Sequence, residues 1–310
     1  MTNNKSLGIL KLQLQAEKIR KRVVEMIFSS KSGHIGGSLS SVDIETALYF
    51  HVMNIDSKNP TKEDRDRFIL SKGHSVEALY SVLAARGFIE DKVLNTYGKF
   101  NSVLEGHPTK NVSGVEHNSG ALGHGLSVGV GIAIAAKMDK KSFHVYVLMG
   151  DGEQGEGSIH EAASSASHFQ LDNMVAIIDR NELQISGNTE DVMKLEPIRE
   201  RWKAIGWEVF DVDGNNIEAL VDVFDNLNYC NRKPKLIIAH TIKGCGISFM
   251  ESIASWHHGV VNEEQYKEAI VEINERIKNL QISLDEYEKR EYHPLQENVY
   301  RHTAGTGKTG

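Results

Sequence analysis

No apolar run in this 310-residue sequence approaches the roughly 20 residues needed to span a bilayer. Met1 to Leu10 has neither the basic start nor the apolar stretch of a secretory signal. Thiols are scarce: Cys230 and Cys245 are the two cysteines, so the expected compartment is a reducing cytoplasm and both are expected to be small buried hydrophobes. An excess of positive charge is missing as well. The 35 Lys and Arg stand against 42 Asp and Glu, a net charge of −7, which gives no reason to expect nucleic acid or an anionic membrane as partner. What is present is a hydrophobic fraction of 40%, enough to bury a substantial core in one large domain or two small ones at roughly 150 residues each.

From Leu7 to Phe28 apolar residues recur at three- to five-residue intervals, which predicts an amphipathic helix. A glycine-rich turn is expected over Lys31 to Ser38, a second helix over Asp43 to Met53, and a charged connector from Ser57 to Arg67. Glu105 to Gly125 is dense in Gly and His with little periodicity, so it should be loop at the rim of a cleft. Leu126 to Lys137 reads as a small-residue helix suited to close packing.

The second half alternates apolar runs with helical patterns. Val145 to Met149, Met174 to Ile178, Glu208 to Val212 and Lys235 to Ala239 predict parallel strands joined by crossover helices, an α/β fold with helices flanking a parallel sheet. Ligands of such sheets sit outside the carboxyl ends of the strands. Chemistry is therefore expected at Gly150 to Gly157, Asp179 to Leu183, Asp213 to Asn215 and His240 to Gly246. A charged helix should follow Val261 to about Leu280, leaving residues 281–310 as a polar tail. The last residues, Ala304 to Gly310, resemble a P-loop, but His302 stands where an earlier Gly is needed, so a disordered tail is expected there.

The strongest chemical signal is Gly150-Asp-Gly-Glu-Gln-Gly-Glu-Gly157, followed thirty residues after Asp151 by Asn181 in Asp179-Arg-Asn181. Two neighbouring strand ends thus present a carboxylate and a carboxamide to one place. A small hard cation takes such oxygens, and Gly150 and Gly152 let a diphosphate approach backbone amides. Taken alone, Gly-Asp-Gly is equally a turn with Asp151 bonding its own backbone. The second signal is a set of histidines beside glycines: Gly33-His-Ile-Gly-Gly37, Ser71-Lys-Gly-His74, Gly106-His-Pro108 and Trp256-His-His-Gly259. A single loop histidine is usually a surface residue, whereas several together can bond phosphate and sugar hydroxyls and move protons near neutral pH.

On these motifs the chain resembles the thiamine diphosphate-dependent enzymes, and within them transketolase, from about Leu10 to Val261. The resemblance implies a diphosphate-binding domain over residues 1–280. It implies that Asp151, Asn181 and the carbonyl of Leu183 hold Mg²⁺, or Ca²⁺ or Mn²⁺ in its place, against thiamine diphosphate. His74, Leu122, Gly123, Gly150, Gly152, Glu153 and His257 would contact that cofactor, together with Asp151 and Asn181. His34 and His107 would line the sugar channel, and His34, His74, His107, His257 and Glu156 would serve catalysis, with His258 as the alternative to His257. Ile35 and His124 depart from the family's usual Pro and Gln. Glu156, and with it Glu161, would join an interface network linking two cofactors, although acidic residues at a helix start are also favoured by its dipole.

The activity so implied is transfer of a two-carbon ketol unit from a ketose phosphate to an aldose, with the cofactor supplying the hard chemistry. A thiamine-dependent oxo-acid dehydrogenase would share the metal motif but has no use for sugar-binding imidazoles. A non-catalytic thiamine diphosphate-binding module would not need the sugar channel. In the resembled family the glutamate that activates the cofactor lies on a separate pyrimidine-binding domain. The roughly fifty polar residues after Val261 are too few for such a domain, so a second subunit is expected to bring it, in a cytoplasmic heterotetramer.

Overall fold

The computed structural model describes residues 2–292. The chain opens with α1 (Thr2–Ser30) and then turns sharply. Gly33 sits at φ +153°, and a Cβ there would lie 2.5 Å from the Glu77 carboxylate, so glycine is required. The turn is shorter than the glycine pattern suggests, because α2 (Ile35–Ala47) already begins at Ile35 and every one of its residues is buried. Gly36 enters the helix because it passes under the backbone of Trp256, whose carbonyl oxygen would stand 2.6 Å from an added Cβ. One π-helical turn, Leu48–Val52, ends this segment.

The next element overturns an expectation. Arg67, read as the end of a charged connector, starts β1 (Arg67–Leu70), an edge strand of four residues. Its length and charged first residue give no period-two signal. After α3 (Val76–Ala85) and a long loop come α4 (Gly125–Met138) and β2 (Val145–Gly150), then α5 (Gly157–His168) and β3 (Met174–Arg180). A small hairpin of β4 (Leu183–Gln184) and β5 (Gly187–Asn188) leads into the short α6 (Thr189–Val192) and α7 (Ile198–Ile205). The chain continues through β6 (Glu208–Asp213), α8 (Ile217–Asp225), β7 (Lys235–His240) and α9 (Glu263–Tyr292). The charged helix thus runs beyond Leu280 to Tyr292; the tail motif at 304–310 lies outside the described residues.

The main sheet has five strands in the order β1-β2-β3-β7-β6, and each neighbouring pair is parallel. Alternate side chains feed two cores. Tyr146, Leu148, Val175 and Ile177 point to the layer of α1, α2, α3, α8 and α9, whereas Val145, Val147, Met149, Ala176 and Ile178 point to that of α4, α5 and α7. Full burial of each large aliphatic side chain contributes about 1.5–3 kcal/mol. Small residues bring α4 close, since a Cβ on Gly129 would fall 2.6 Å from Val147. The thiols depart from expectation: Cys230 is exposed and Cys245 only partly buried. No helix among the described residues is long and apolar enough to cross a membrane.

The register Gly150↔Asp179 sets the ends of β2 and β3 side by side. One buried ion pair ties these ends to the rest. Lys72 Nζ, just after β1, lies 2.5 Å from Asp179 Oδ2 and donates to the Gly37 carbonyl at 2.7 Å. Both side chains are at most 2% exposed. Removing one member of such a pair strands the other charge in the interior, so Lys72→Met should lower the unfolding free energy by about 3–5 kcal/mol, with partial recovery when Asp179→Asn is added. Urea denaturation measures both; a loss below about 1 kcal/mol, in the range of an exposed pair, would contradict the buried-pair reading.

Candidate active site

The strand ends and the loops around them enclose a cavity of about 390 Å³. Asp151 is 3% exposed. Its Oδ1 accepts from the Gly152 amide at 2.7 Å, and its Oδ2 accepts from the Glu182 amide at 2.7 Å and from Arg180 Nη1 at 3.3 Å. Burial, with the nearby Asp179 charge, pushes its carboxyl above the usual range, against the pull of those donors. Asn181 donates through Nδ2 to Asp179 Oδ2 at 3.2 Å, while its Oδ1 accepts from the Leu183 amide at 3.2 Å. The Leu183 carbonyl accepts from Lys243 Nζ at 2.6 Å. Asp151, Asn181 and Leu183 all line the one cavity.

That donor set fits a hard divalent ion: a carboxylate, a carboxamide and a backbone carbonyl. It offers one negative charge. Among the described residues no group of three or more His, Cys, Asp or Glu is placed to hold a metal, so the remaining positions around such an ion are open to water or to the oxygens of a bound anion. The cavity is built to receive one. Lys72 and Lys243 face it, as do Gly120, Gly150 and Gly152. Burial brings the Lys243 ammonium down to about 8, with Asp151 and Asp179 supporting its charge.

Three of the four histidine loops meet ring to ring. The His34 centroid lies 5.2 Å from that of His74 and 5.9 Å from that of His257, and the last two stack at 5.3 Å. His107 lines the same cavity from the loop after β1 and α3, its carbonyl accepting from the Tyr80 hydroxyl at 3.0 Å. Burial lowers His34 to about 4, His74 to about 2 and His257 to about 3, helped by neighbouring cations and imidazoles. At neutral pH these rings are uncharged. Each offers one N–H donor and one acceptor. His257 Nδ1 is 2.9 Å from Lys243 Nζ, which makes that nitrogen the acceptor.

Several expected residues lie elsewhere. Glu153 lines the cavity but spends its carboxylate on the protein: it accepts from the Gly123 and Gly150 amides at 2.8 and 2.9 Å and from the Ser71 hydroxyl. It thereby fixes both glycine loops. Leu122 is on the wall, and Gly123, at φ +84°, packs under Glu156 Cβ. Glu156 and Glu161 are exposed and outside the cavity, as are His124 and His258, so His257 is the ring on the wall. Gln184, Ile185 and Ser186 of the hairpin and Lys72 also line the cavity without having been expected there, and Asp179 and Lys243 line it from strand-end segments that were expected to carry chemistry but without an assigned role. Lys243 carried a usable signal, since Thr241-Ile-Lys-Gly244 directly follows β7.

Residues 12–298 match the family described as "Transketolase, thiamine diphosphate binding domain". The chain is 57% identical over 270 residues to an apulose-4-phosphate transketolase subunit of Phocaeicola vulgatus, covering 87% of this chain and 96% of that protein. It is 40% identical over 263 residues to a 6-deoxy-6-sulfo-D-fructose transketolase subunit of a Clostridium species, covering 84% and 96%. Among solved structures, the transketolase of Campylobacter jejuni superposes with a TM-score of 0.80 at 28% identity, over 95% of this chain and 50% of that one. The chain spans about half the length of the solved transketolases it matches. With the α/β sheet, the oxygen donors at adjacent strand ends and the imidazole cluster in place, these matches show that the chain belongs to the transketolase family, as a subunit carrying its thiamine diphosphate-binding domain.

Proposed function

We propose that this chain holds the diphosphate and the divalent metal of a two-subunit transketolase, and that a partner subunit brings the pyrimidine-binding domain with the activating glutamate. The observation that carries the reading is one cavity lined by Asp151, Asn181, Leu183, two lysines and four histidines. Asp151, Asn181 and the Leu183 carbonyl would hold Mg²⁺, and Lys243, with that ion, would balance the diphosphate charge, Lys72 being paired with Asp179. Thiamine diphosphate, when bound, supplies a nucleophilic carbon and a sink for electrons. The protein's part is orientation and proton handling. His34, His74, His107 and His257 would face the sugar; the neutral imidazoles of His34, His74 and His257 can accept a hydroxyl proton and return it without carrying a fixed charge against the substrate. Glu156, exposed at the start of α5, is proposed for the subunit interface rather than for contact with sugar.

Support for a partner comes from relatives named as subunits whose nearly full length this chain matches. On the same ground the proposed ketose donor is a branched phosphosugar, apulose 4-phosphate, passing its two-carbon unit to an aldose acceptor in a cytoplasmic hetero-oligomer. Oxo-acid decarboxylation is disfavoured by the imidazole cluster, which a small oxo acid would leave without partners.

Mixing the purified chain with a candidate partner, thiamine diphosphate and Mg²⁺ should yield ketol transfer from apulose 4-phosphate, whereas the chain alone at high concentration should give none. Turnover by the single chain would overturn the two-subunit reading. A pH effect follows from the buried imidazoles. His74 is near 2 when folded and near 6.5 when unfolded, so between these values the unfolded chain binds more protons and stability rises with pH. Stability is thus full above about pH 6.5 and drains as the pH falls, by up to about 1.4 kcal/mol per pH unit for His74. Thermal unfolding from pH 7.5 to 5.0 should show a falling midpoint and a shallower slope in His74→Asn; identical slopes would refute a neutral buried His74.

A further inference from the structure

Arg180 sits between Asp179 and Asn181, yet none of the roles above uses it. Its side chain is 3% exposed and meets three carboxylates. Nη1 is 3.3 Å from Asp151 Oδ2; Nη2 is 3.0 Å from Glu190 Oε1 and 3.3 Å from Glu196 Oε1. Those two glutamates organise the segment they belong to. Glu190 accepts from the Leu195 and Glu196 amides at 3.2 and 3.4 Å, and Glu196 accepts from the Ile198 amide at 2.9 Å. The same segment leans on Asp151 directly, through the Glu182 amide at 2.7 Å and the Thr189 hydroxyl at 3.4 Å. Its hairpin supplies Gln184, Ile185 and Ser186 to the cavity wall, and Ile185 is 75% exposed at the rim.

One guanidinium carries one charge, and here three carboxylates draw on it. A divalent cation on Asp151 would satisfy that carboxylate and repel Arg180, leaving more of the guanidinium's pull for Glu190 and Glu196. We propose that Arg180 is a positioning residue that couples cation binding at Asp151 to closure of the 182–196 segment over the cavity. The inference rests on Asp151 being a metal ligand. Coupling between two sites is reciprocal, so whatever loosens the segment's hold on Arg180 returns the guanidinium to Asp151, where it competes with the metal.

The test titrates Mn²⁺ into the full chain saturated with thiamine diphosphate and follows amide hydrogen exchange. In the wild type Mn²⁺ should slow exchange over 182–196 by about tenfold, a common size for such coupling. Arg180→Met should keep or raise Mn²⁺ affinity but lose the Mn²⁺-dependent protection. Glu190→Gln with Glu196→Gln changes only partly exposed groups and should lower Mn²⁺ affinity although neither residue faces the ion. A purely structural arginine would give lower Mn²⁺ affinity in Arg180→Met with protection still responding to Mn²⁺, and that result would overturn the coupling. Unchanged affinity in the double glutamine variant would overturn it too. If Asp151→Ala also binds Mn²⁺ as the wild type does, the metal assignment itself has failed; if only Asp151→Ala loses Mn²⁺, the assignment stands and the coupling alone falls.

Discussion

The Lys72–Asp179 ion pair is the constraint on which the cavity depends. It joins the exit of β1 to the exit of β3, and the atoms that complete it come from two more segments. Gly37 and Ser40 of α2 and Thr241 after β7 all bond one member or the other. Burying two charges costs several kcal/mol each, so an incompletely bonded pair would be a liability; here the lone pairs of Asp179 are met by an ammonium, two hydroxyls and the Asn181 amide. Burial would raise the Asp179 carboxyl, but Lys72 and these donors hold it below the usual range. Because Asp179 is fixed, the Asn181 carboxamide that donates to it is fixed too, and its oxygen accepts from the Leu183 amide at 3.2 Å.

A second consequence concerns charge. Desolvation keeps His34, His74 and His257 neutral, while Lys243 brings a positive charge to the same wall. A fixed charge and uncharged rings that can accept and donate protons thus share one cavity of about 390 Å³. Asp151 stands at the join, its Oδ1 accepting from the Gly152 amide and its Oδ2 from the Glu182 amide and from Arg180.

How much was legible in the sequence varied with the kind of signal. The three inner strands β2, β3 and β7 announced themselves as apolar runs because both faces of a central parallel strand are buried, and the edge strand β6 was legible from Val209, Phe210 and Val212, of which only the two valines are buried. The fifth, Arg67–Leu70, is short and begins with a charge, and it is recognisable only through its pairing with β2. The metal-type oxygens and the four cavity histidines were legible because glycines mark the loops that bear them. Lys72 was not, since a lysine's sequence neighbours do not say that its ammonium will be buried, and Lys243 was marked only by its place in the loop after β7. Glu153 lines the cavity as its motif suggested, and its carboxylate also staples Gly123 to Gly150, a structural role the motif did not announce. Gly36 and Gly37 read as turn residues, but tertiary packing, beneath Trp256 for Gly36 and against Ser75 and His74 for Gly37, draws them into a helix.

The central claim is that one carboxylate, one carboxamide and one backbone carbonyl at adjacent strand ends hold the metal that anchors thiamine diphosphate. Anomalous diffraction from crystals grown with thiamine diphosphate, Mn²⁺ and the partner chain tests this most directly. A single manganese peak bounded by Asp151, Asn181 and the Leu183 carbonyl is the predicted result. A cofactor bound with its manganese away from those three oxygens would contradict it.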